Sequence, residues 1–168
     1  MPDSLFPRPV IPGRFIETPW LAPQVLAHLD ALLASYARLL GQELIPAAPS
    51  PERAAALWQS PLVLVSHNAE ADPTFVYANR TALDLWEMTW AEFTTLKSRE
   101  SAEPVEQAER ERLLHEVEET GFTADYAGIR RTRGGRRFRI EGVTVWEVHD
   151  AVGRRLGQAA SFDRWTFL

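Results

Sequence analysis

The chain has 168 residues, 45% hydrophobic and 24% charged, which fits one globular domain with a core of its own. It has no cysteine, which excludes disulfides, thiolate metal sites, a cysteine nucleophile and a flavin photosensor of the cysteinyl-adduct type. A net charge of −5 argues against a chain built to bind polyanions, and Lys97 is the single lysine among many arginines.

Residues 1–19 are proline-rich and aperiodic, and are expected to form an extended arm; no apolar h-region marks a signal peptide. No apolar run approaches membrane-spanning length, so a cytoplasmic location without membrane contact is expected. From Ala22 to Leu44 the apolar positions Val25, Leu26, Leu29, Leu32, Leu33, Tyr36, Leu39 and Leu40 recur at helical spacing and predict an amphipathic helix. Its apolar face is too wide to stand in water. It must therefore cover the outer face of its own sheet or pack on a second subunit, with Leu29, Leu33, Tyr36 and Leu40 buried. Ser50-Pro51-Glu52 reads as N-cap, first helical proline and acidic first turn of a short helix running to about Gln59.

Pro61 to Ser66 is a continuous apolar run with β-branched residues, which predicts a buried strand. Asn68 to Pro73 has turn composition, and Thr74 to Ala78 predicts a second strand pairing antiparallel with the first. Asn79 is placed to cap the helix carrying Ala82, Leu83, Leu85 and Trp86, and Thr89-Trp90-Ala91-Glu92 fits a capping box. Glu103 to Glu119 predicts a charged helix with a sparse apolar stripe of Val105, Ala108, Leu113, Leu114 and Val117, ended by Gly121. Three strands follow, at Phe122–Thr132, Arg137–His149 and Arg155–Trp165, with glycine-bearing turns between them. Phe138 and Ile140 share one parity while Val143 and Val145 share the other, so a bulge is expected at Gly142. Two strand groups separated by helices argue for an α+β fold, a five-stranded antiparallel sheet with helices on one face plus the N-terminal helix. The expected division is 1–60 for the arm and N-terminal helices and 61–168 for the sheet domain.

Phe75 to Trp86 resembles the strand, asparagine and short-helix pattern of PAS domains, with Glu87 standing where a glycine is usual. More specifically the chain resembles the MEKHLA family, in its bacterial stand-alone type. The resemblance is carried by Leu62-Val63-Leu64-Val65-Ser66-His67, Thr81-Ala82-Leu83-Asp84-Leu85, Ser98 to Pro104, Gly135 to Ile140 and Gly157-Gln158-Ala159-Ala160. The hexapeptide that names the family is absent, and the N-terminal helix lies outside these segments. The resemblance implies five antiparallel strands, a cleft between sheet and helices, and a sensing, ligand-binding or pairing role.

The four histidines, His28, His67, His115 and His149, lack metal-pair spacing. His115 is better read as a surface residue than as a haem ligand, and His67 as satisfying loop backbone groups. The run Arg130, Arg131, Arg133, Arg136, Arg137 and Arg139 suits anions or nucleic acid, but a solvated hairpin balanced by the acidic helix explains it better, so no nucleic-acid partner is expected. Arg99, within Ser98-Arg99-Glu100-Ser101, either holds a ligand carboxylate or braces its loop by pairing with Asp125 or Glu103. If a cleft exists, its expected lining is Tyr77, Trp86, Phe93, Arg99, Tyr126, Arg139 and Trp146. The resulting reading is a sensor or interaction module for a small molecule or protein partner, without an output domain, and expected to form a homodimer. No cofactor and no metal ligand is assigned. The alternatives are a small enzyme using Tyr126, Asp125 or His67 for proton transfer, and a dimerisation scaffold with a filled core.

Overall fold

A computed structural model describes residues 18–103 and 106–168; residues 1–17 of the expected proline-rich arm and Val105 of the expected apolar stripe lie outside the described residues. Helix α1 (Pro23–Leu40) opens on a proline and ends at Gly41, whose left-handed φ of +73° stops it short of the expected Leu44. Helix α2 (Ser50–Gln59) begins one residue earlier than expected, with Pro49 at the N-cap. Ser50 makes no cap because its hydroxyl donates to Asp30 Oδ2 on α1 at 3.1 Å instead.

The strands β1 (Val63–Asn68) and β2 (Phe75–Ala78) form the expected antiparallel hairpin, with Ser66 opposite Tyr77. Asn79 then does more than cap α3 (Arg80–Trp86). Its Oδ1 accepts from the backbone N–H of Leu64 and Ala82, and its Nδ2 donates to the carbonyls of Leu57 and Leu62. One buried amide thereby ties α2, β1 and α3 with every polar site satisfied. Thr89 and Glu92 make the expected reciprocal capping box of α4 (Trp90–Phe93). A 3-10 turn (Ser98–Ser101) leads towards α5 (Gln107–Thr120), which Gly121 ends.

The remaining strands are β3 (Phe122–Arg131), β4 (Arg137–His149), β5 (Arg155–Phe162) and β6 (Arg164–Phe167). The sheet is antiparallel in the order β2-β1-β5-β4-β3, with β6 also pairing β4, so among the described residues it has six strands rather than the expected five. The pairs Thr144–Ser161 and Glu141–Arg164 belong to one continuous register, and the last expected strand is broken only at Asp163. The cause lies opposite. Gly142, at φ +61°, swings the β4 backbone out of pairing, and an added Cβ there would stand 2.5 Å from Arg164 Nη2.

That bulge occurs where the parity change required it: Tyr126 faces Val143 and Gly128 faces Ile140, two residues of β3 spanning three of β4. A compensating bulge follows in β3, where Asp125 takes φ +60° and three residues span two. The bulges decide which side chains reach each face. Phe138, Ile140, Val143 and Val145 all join the core beneath α3, α4 and α5, the inner face, with Val63, Val65, Phe75 and Phe162. Trp146 and Val148 turn to the outer face with Leu64, Tyr77 and Ala159.

α3, α4 and α5 thus cover the inner face, and the N-terminal helix covers the outer one. Of the two placements expected for the N-terminal helix, the structure shows cover of its own sheet. Leu29, Leu32, Leu33 and Tyr36 are buried against Trp146 and its neighbours, while Leu40 is half-buried. Each such side chain is worth roughly 1.5–3 kcal/mol of apolar burial. The Trp146 indole N–H donates to the Leu32 carbonyl at 3.1 Å, which fixes the helix on the sheet. Among the described residues no helix is long and apolar enough to cross a membrane.

A buried cationic cavity between sheet and helix

Between the inner face and α5 lies a cavity of ≈ 60 Å³, walled by residues of β1, β2, β3, β4, β5, α3, α5 and the 3-10 turn. Its apolar wall comes from Val65, Phe75, Leu113, Val143, Val145 and Phe162. Its polar groups are Ser98, Ser101, Arg110, Tyr126, Arg130, His67 and Gln158.

The 3-10 turn sets the first of these. Residues three apart eclipse in such a turn, so Ser98 and Ser101 are both buried while Arg99 and Glu100 point outward. Ser101 Oγ donates to the Ser98 carbonyl at 2.7 Å, and Ser98 Oγ accepts from Arg110 Nη2. Arg110 lies on the buried row of α5 with Leu113 and Val117 and is only 4% exposed. On β3, Arg130 is 8% exposed; its Nη1 donates to the Ile129 carbonyl at 3.0 Å and its Nη2 approaches the Tyr126 hydroxyl at 3.4 Å. Gly128 makes that approach possible, because a Cβ there would lie 2.6 Å from the Tyr126 hydroxyl oxygen.

Among the described residues every arginine ion pair involves other arginines; Arg110 and Arg130 touch no carboxylate. Burial, then the neighbouring charge of Arg130, lowers the Arg110 guanidinium to about 10, so it stays charged at neutral pH. Glu111 and Asp72 act on it only from a distance. Two cations held out of water without a counter-charge cost a fold several kcal/mol.

His67 and Gln158 stand opposite each other in the β1–β5 register, and are 6% and 2% exposed. His67 Nδ1 lies 2.8 Å from the Asn68 carbonyl, which can only accept, so Nδ1 carries the proton and Nε2 presents a lone pair. Burial pushes this imidazole down to about 4 and keeps it neutral. Gln158 Nε2 donates to the Leu114 carbonyl and to Glu147 Oε1, which fixes its amide and leaves Oε1 as an acceptor. Neither His67 Nε2 nor Gln158 Oε1 has a partner, and the Trp86 indole N–H, also in the wall, has none. A second, open groove of ≈ 330 Å³ shares His67, Arg110, Leu114 and Gln158 with the cavity and leads to the surface past Asp72 and Arg99.

The cleft residues expected from sequence divide sharply. Trp86 and Tyr126 line the cavity. Phe93 is buried in the same core and packs on Trp86 at 5.6 Å without lining it. Tyr77 and Trp146 do not join them, since both lie on the outer face beneath α1. Arg99 is on the surface, paired with Asp72 at 3.2 Å rather than with Asp125 or Glu103. Arg139 is also outside, paired with Glu141 at 2.9 Å. The rest of the basic run disperses: Arg133 pairs with Glu92, Arg137 with Glu103, and Arg136 stacks on Phe167 with its guanidinium carbon 3.6 Å from the ring centre. His115 is exposed beside Glu119, away from the cavity.

Arg110 was the residue to find. It stands at i, i+3, i+4 and i+7 with Leu113, Leu114 and Val117, inside the apolar stripe rather than beside it. Arg130 carried a weaker signal, its alternation with Gly128 and Tyr126 along one strand.

The model of the MEKHLA domain matches residues 26–167. The match begins within α1, so the helix left outside the quoted segments falls inside the family's span. No curated protein matches the chain in sequence. Among solved structures, the PAS domain of a protein from Colwellia psychrerythraea is 12% identical with a TM-score of 0.60, over 70% of this chain and 95% of that one. A PAS domain from a two-component sensor histidine kinase is 13% identical with a TM-score of 0.53, over 68% and 91%. A Light-Oxygen-Voltage domain studied with a flavin analogue is 16% identical with a TM-score of 0.56, over 70% and 84%. At these identities the likeness is one of fold. With the family model spanning α1 through the last strand on a PAS-like sheet, the chain belongs to the MEKHLA domain family.

Proposed function

We propose that the chain is a sensory module whose cavity binds a compact anion, with occupancy passed on by association with a partner. The observation that carries this reading is the pair Arg110 and Arg130, more than nine-tenths buried, facing one cavity, and bonded to no carboxylate among the described residues. A bound anion supplies the missing counter-charge, and guanidinium groups suit carboxylates through directed N–H donors.

The cavity's size narrows the class. An engineered apolar cavity of about 150 Å³ takes one benzene ring. At ≈ 60 Å³ this one takes only a small molecule, and a three-ring flavin or a haem does not fit the residues as placed.

The test is titration of the protein with formate, acetate and propionate, followed by calorimetry and thermal unfolding, alongside Arg110→Met and Arg130→Met. The unsubstituted protein is expected to gain stability with millimolar carboxylate, by about 2.7 kcal/mol at a hundredfold excess over Kd. Both variants should lose that response while gaining stability without ligand, because each removes an uncompensated buried charge. An unsubstituted protein indifferent to every compact carboxylate would overturn the reading.

A further inference from the structure

We infer that the ligand of this cavity is a small 2-hydroxy acid, its carboxylate held by Arg110 and Arg130 and its hydroxyl seated beside Gln158 Oε1 and donating its one proton to His67 Nε2. The inference rests on the anion reading above and adds the second half of the recognition. A plain carboxylate brings acceptors only. It would answer the two arginines and the Trp86 N–H, yet leave His67 Nε2 and Gln158 Oε1 buried without a donor.

Those two atoms are fixed as acceptors by their other bonds, the one by Asn68 and the other by Leu114 and Glu147. They belong to residues directly opposite each other in the β1–β5 register, and of the two the neutral imidazole nitrogen is the more basic acceptor for a hydroxyl's single proton. Arg110 borders both cavity and groove along with them, so the cationic and accepting parts of the wall meet. A ligand with a carboxylate and an adjacent hydroxyl matches that wall in both senses.

Size and charge choose within this class. A cavity of ≈ 60 Å³ holds roughly four to six water-sized groups, at about 10–15 Å³ each. That is the bulk of glycolate or lactate. A 2-amino acid would also bring donors, but its ammonium would enter a space already holding the two guanidinium charges of Arg110 and Arg130, while the Glu147 carboxylate that could offset it is taken by Arg155 on the groove side. A neutral hydroxyl meets no such repulsion.

The experiment ranks ligands by calorimetry on the full chain: acetate, glycolate, propionate, L-lactate, D-lactate and glycine. Glycolate should bind at least roughly tenfold tighter than acetate, and one lactate enantiomer should exceed propionate by a similar factor, because buried acceptors left unpaired are costly. His67→Phe keeps an aromatic ring against Phe75 and removes the acceptor, so it should shrink the glycolate-to-acetate margin while acetate binding persists. Equal affinity for glycolate and acetate overturns the hydroxyl assignment and leaves the anion reading standing. Glycine binding above glycolate overturns it in favour of amino acids. Failure of every carboxylate overturns both. The ranking needs no variant, so a His67→Phe chain that fails to fold does not rescue the inference.

Discussion

Gly157 of β5 lies so close to the carbonyl of His67 on β1 that an added Cβ would stand 1.9 Å from that oxygen. Two other backbone atoms, the carbonyl carbons of His67 and Asn68, would be 2.9 Å away. Backbone cannot swing aside as a side-chain end can, and φ +144° is itself a conformation that favours glycine. Gly157→Ala is therefore expected to cost about 3 kcal/mol or more and to pull His67 out of the cavity wall. Denaturant unfolding checks the first effect, and loss of carboxylate binding in the fraction that folds checks the second.

Acid should weaken the fold within a definite window. Burial, assisted by Arg110 and Arg155, holds His67 at about 4 against its ordinary 6.5, while the Asn68 carbonyl and Glu147 pull the other way. The unfolded chain accepts a proton below pH 6.5 that the native one refuses. The contribution is fully present above pH 6.5 and is lost as pH falls towards 4, a change on the order of 3 kcal/mol. Burial lowers His28 in the same direction. Unfolding midpoints measured from pH 7 to 4 should fall, and His67→Gln should flatten the curve without abolishing the slope due to His28. An unaltered slope would count against a buried neutral His67.

The N-terminal helix is expected to behave as core. Leu29 and Leu33 are each 2% exposed against the outer face of the sheet. Leu29→Glu combined with Leu33→Glu places two carboxylates there without partners, a change that costs several kcal/mol each. The expected product is an unfolded or aggregating chain, seen by sedimentation and circular dichroism. A folded, soluble monomer would show instead that the helix serves contact between chains.

Glu87 offers a stabilising change. It closes α3 in the left-handed conformation, φ +60°, with its N–H directed at the carbonyls of Leu83 and Asp84. Glycine reaches that conformation without the Cβ conflict. Glu87→Gly should raise stability by up to about 1 kcal/mol, read as an upward shift in Tm.

Much of the architecture was legible because it rests on local chemistry. Asn79, the Thr89–Glu92 box, Gly121 and the parity change at Gly142 each report a backbone requirement that few other residues meet. Even the missing glycine at Glu87 misled only about residue type, since the backbone keeps the glycine conformation. The cavity was harder to read because its polar residues resemble surface residues. Arg110 sits in a helix full of solvated charges, and only its spacing from Leu113 and Val117 sets it apart. Arg99 attracted attention because it lies in the right turn, but the eclipsed geometry there turns the serines inward and the arginine out. Which face Tyr77 and Trp146 occupy depends on strand register, which is settled by long-range pairing and not by composition.

The extra residue at Gly142 also governs how the gene can tolerate change. Residues before it and residues after it address their faces with opposite parity, and Val143 and Val145 share a face with Ile140 only because the bulge absorbs one additional position. Loss of that one codon would leave a plain alternation, with Ile140, Val143 and Val145 still on the inner face and Trp146 still beneath α1. A change that keeps the extra residue but forbids the bulge is the harsher one: with position 142 paired as ordinary strand, Val143 and Val145 would pass beneath α1, while Trp146 and Val148 would be driven into a space of ≈ 60 Å³ that cannot hold an indole. The strand therefore tolerates the loss of this position better than its conversion to regular strand.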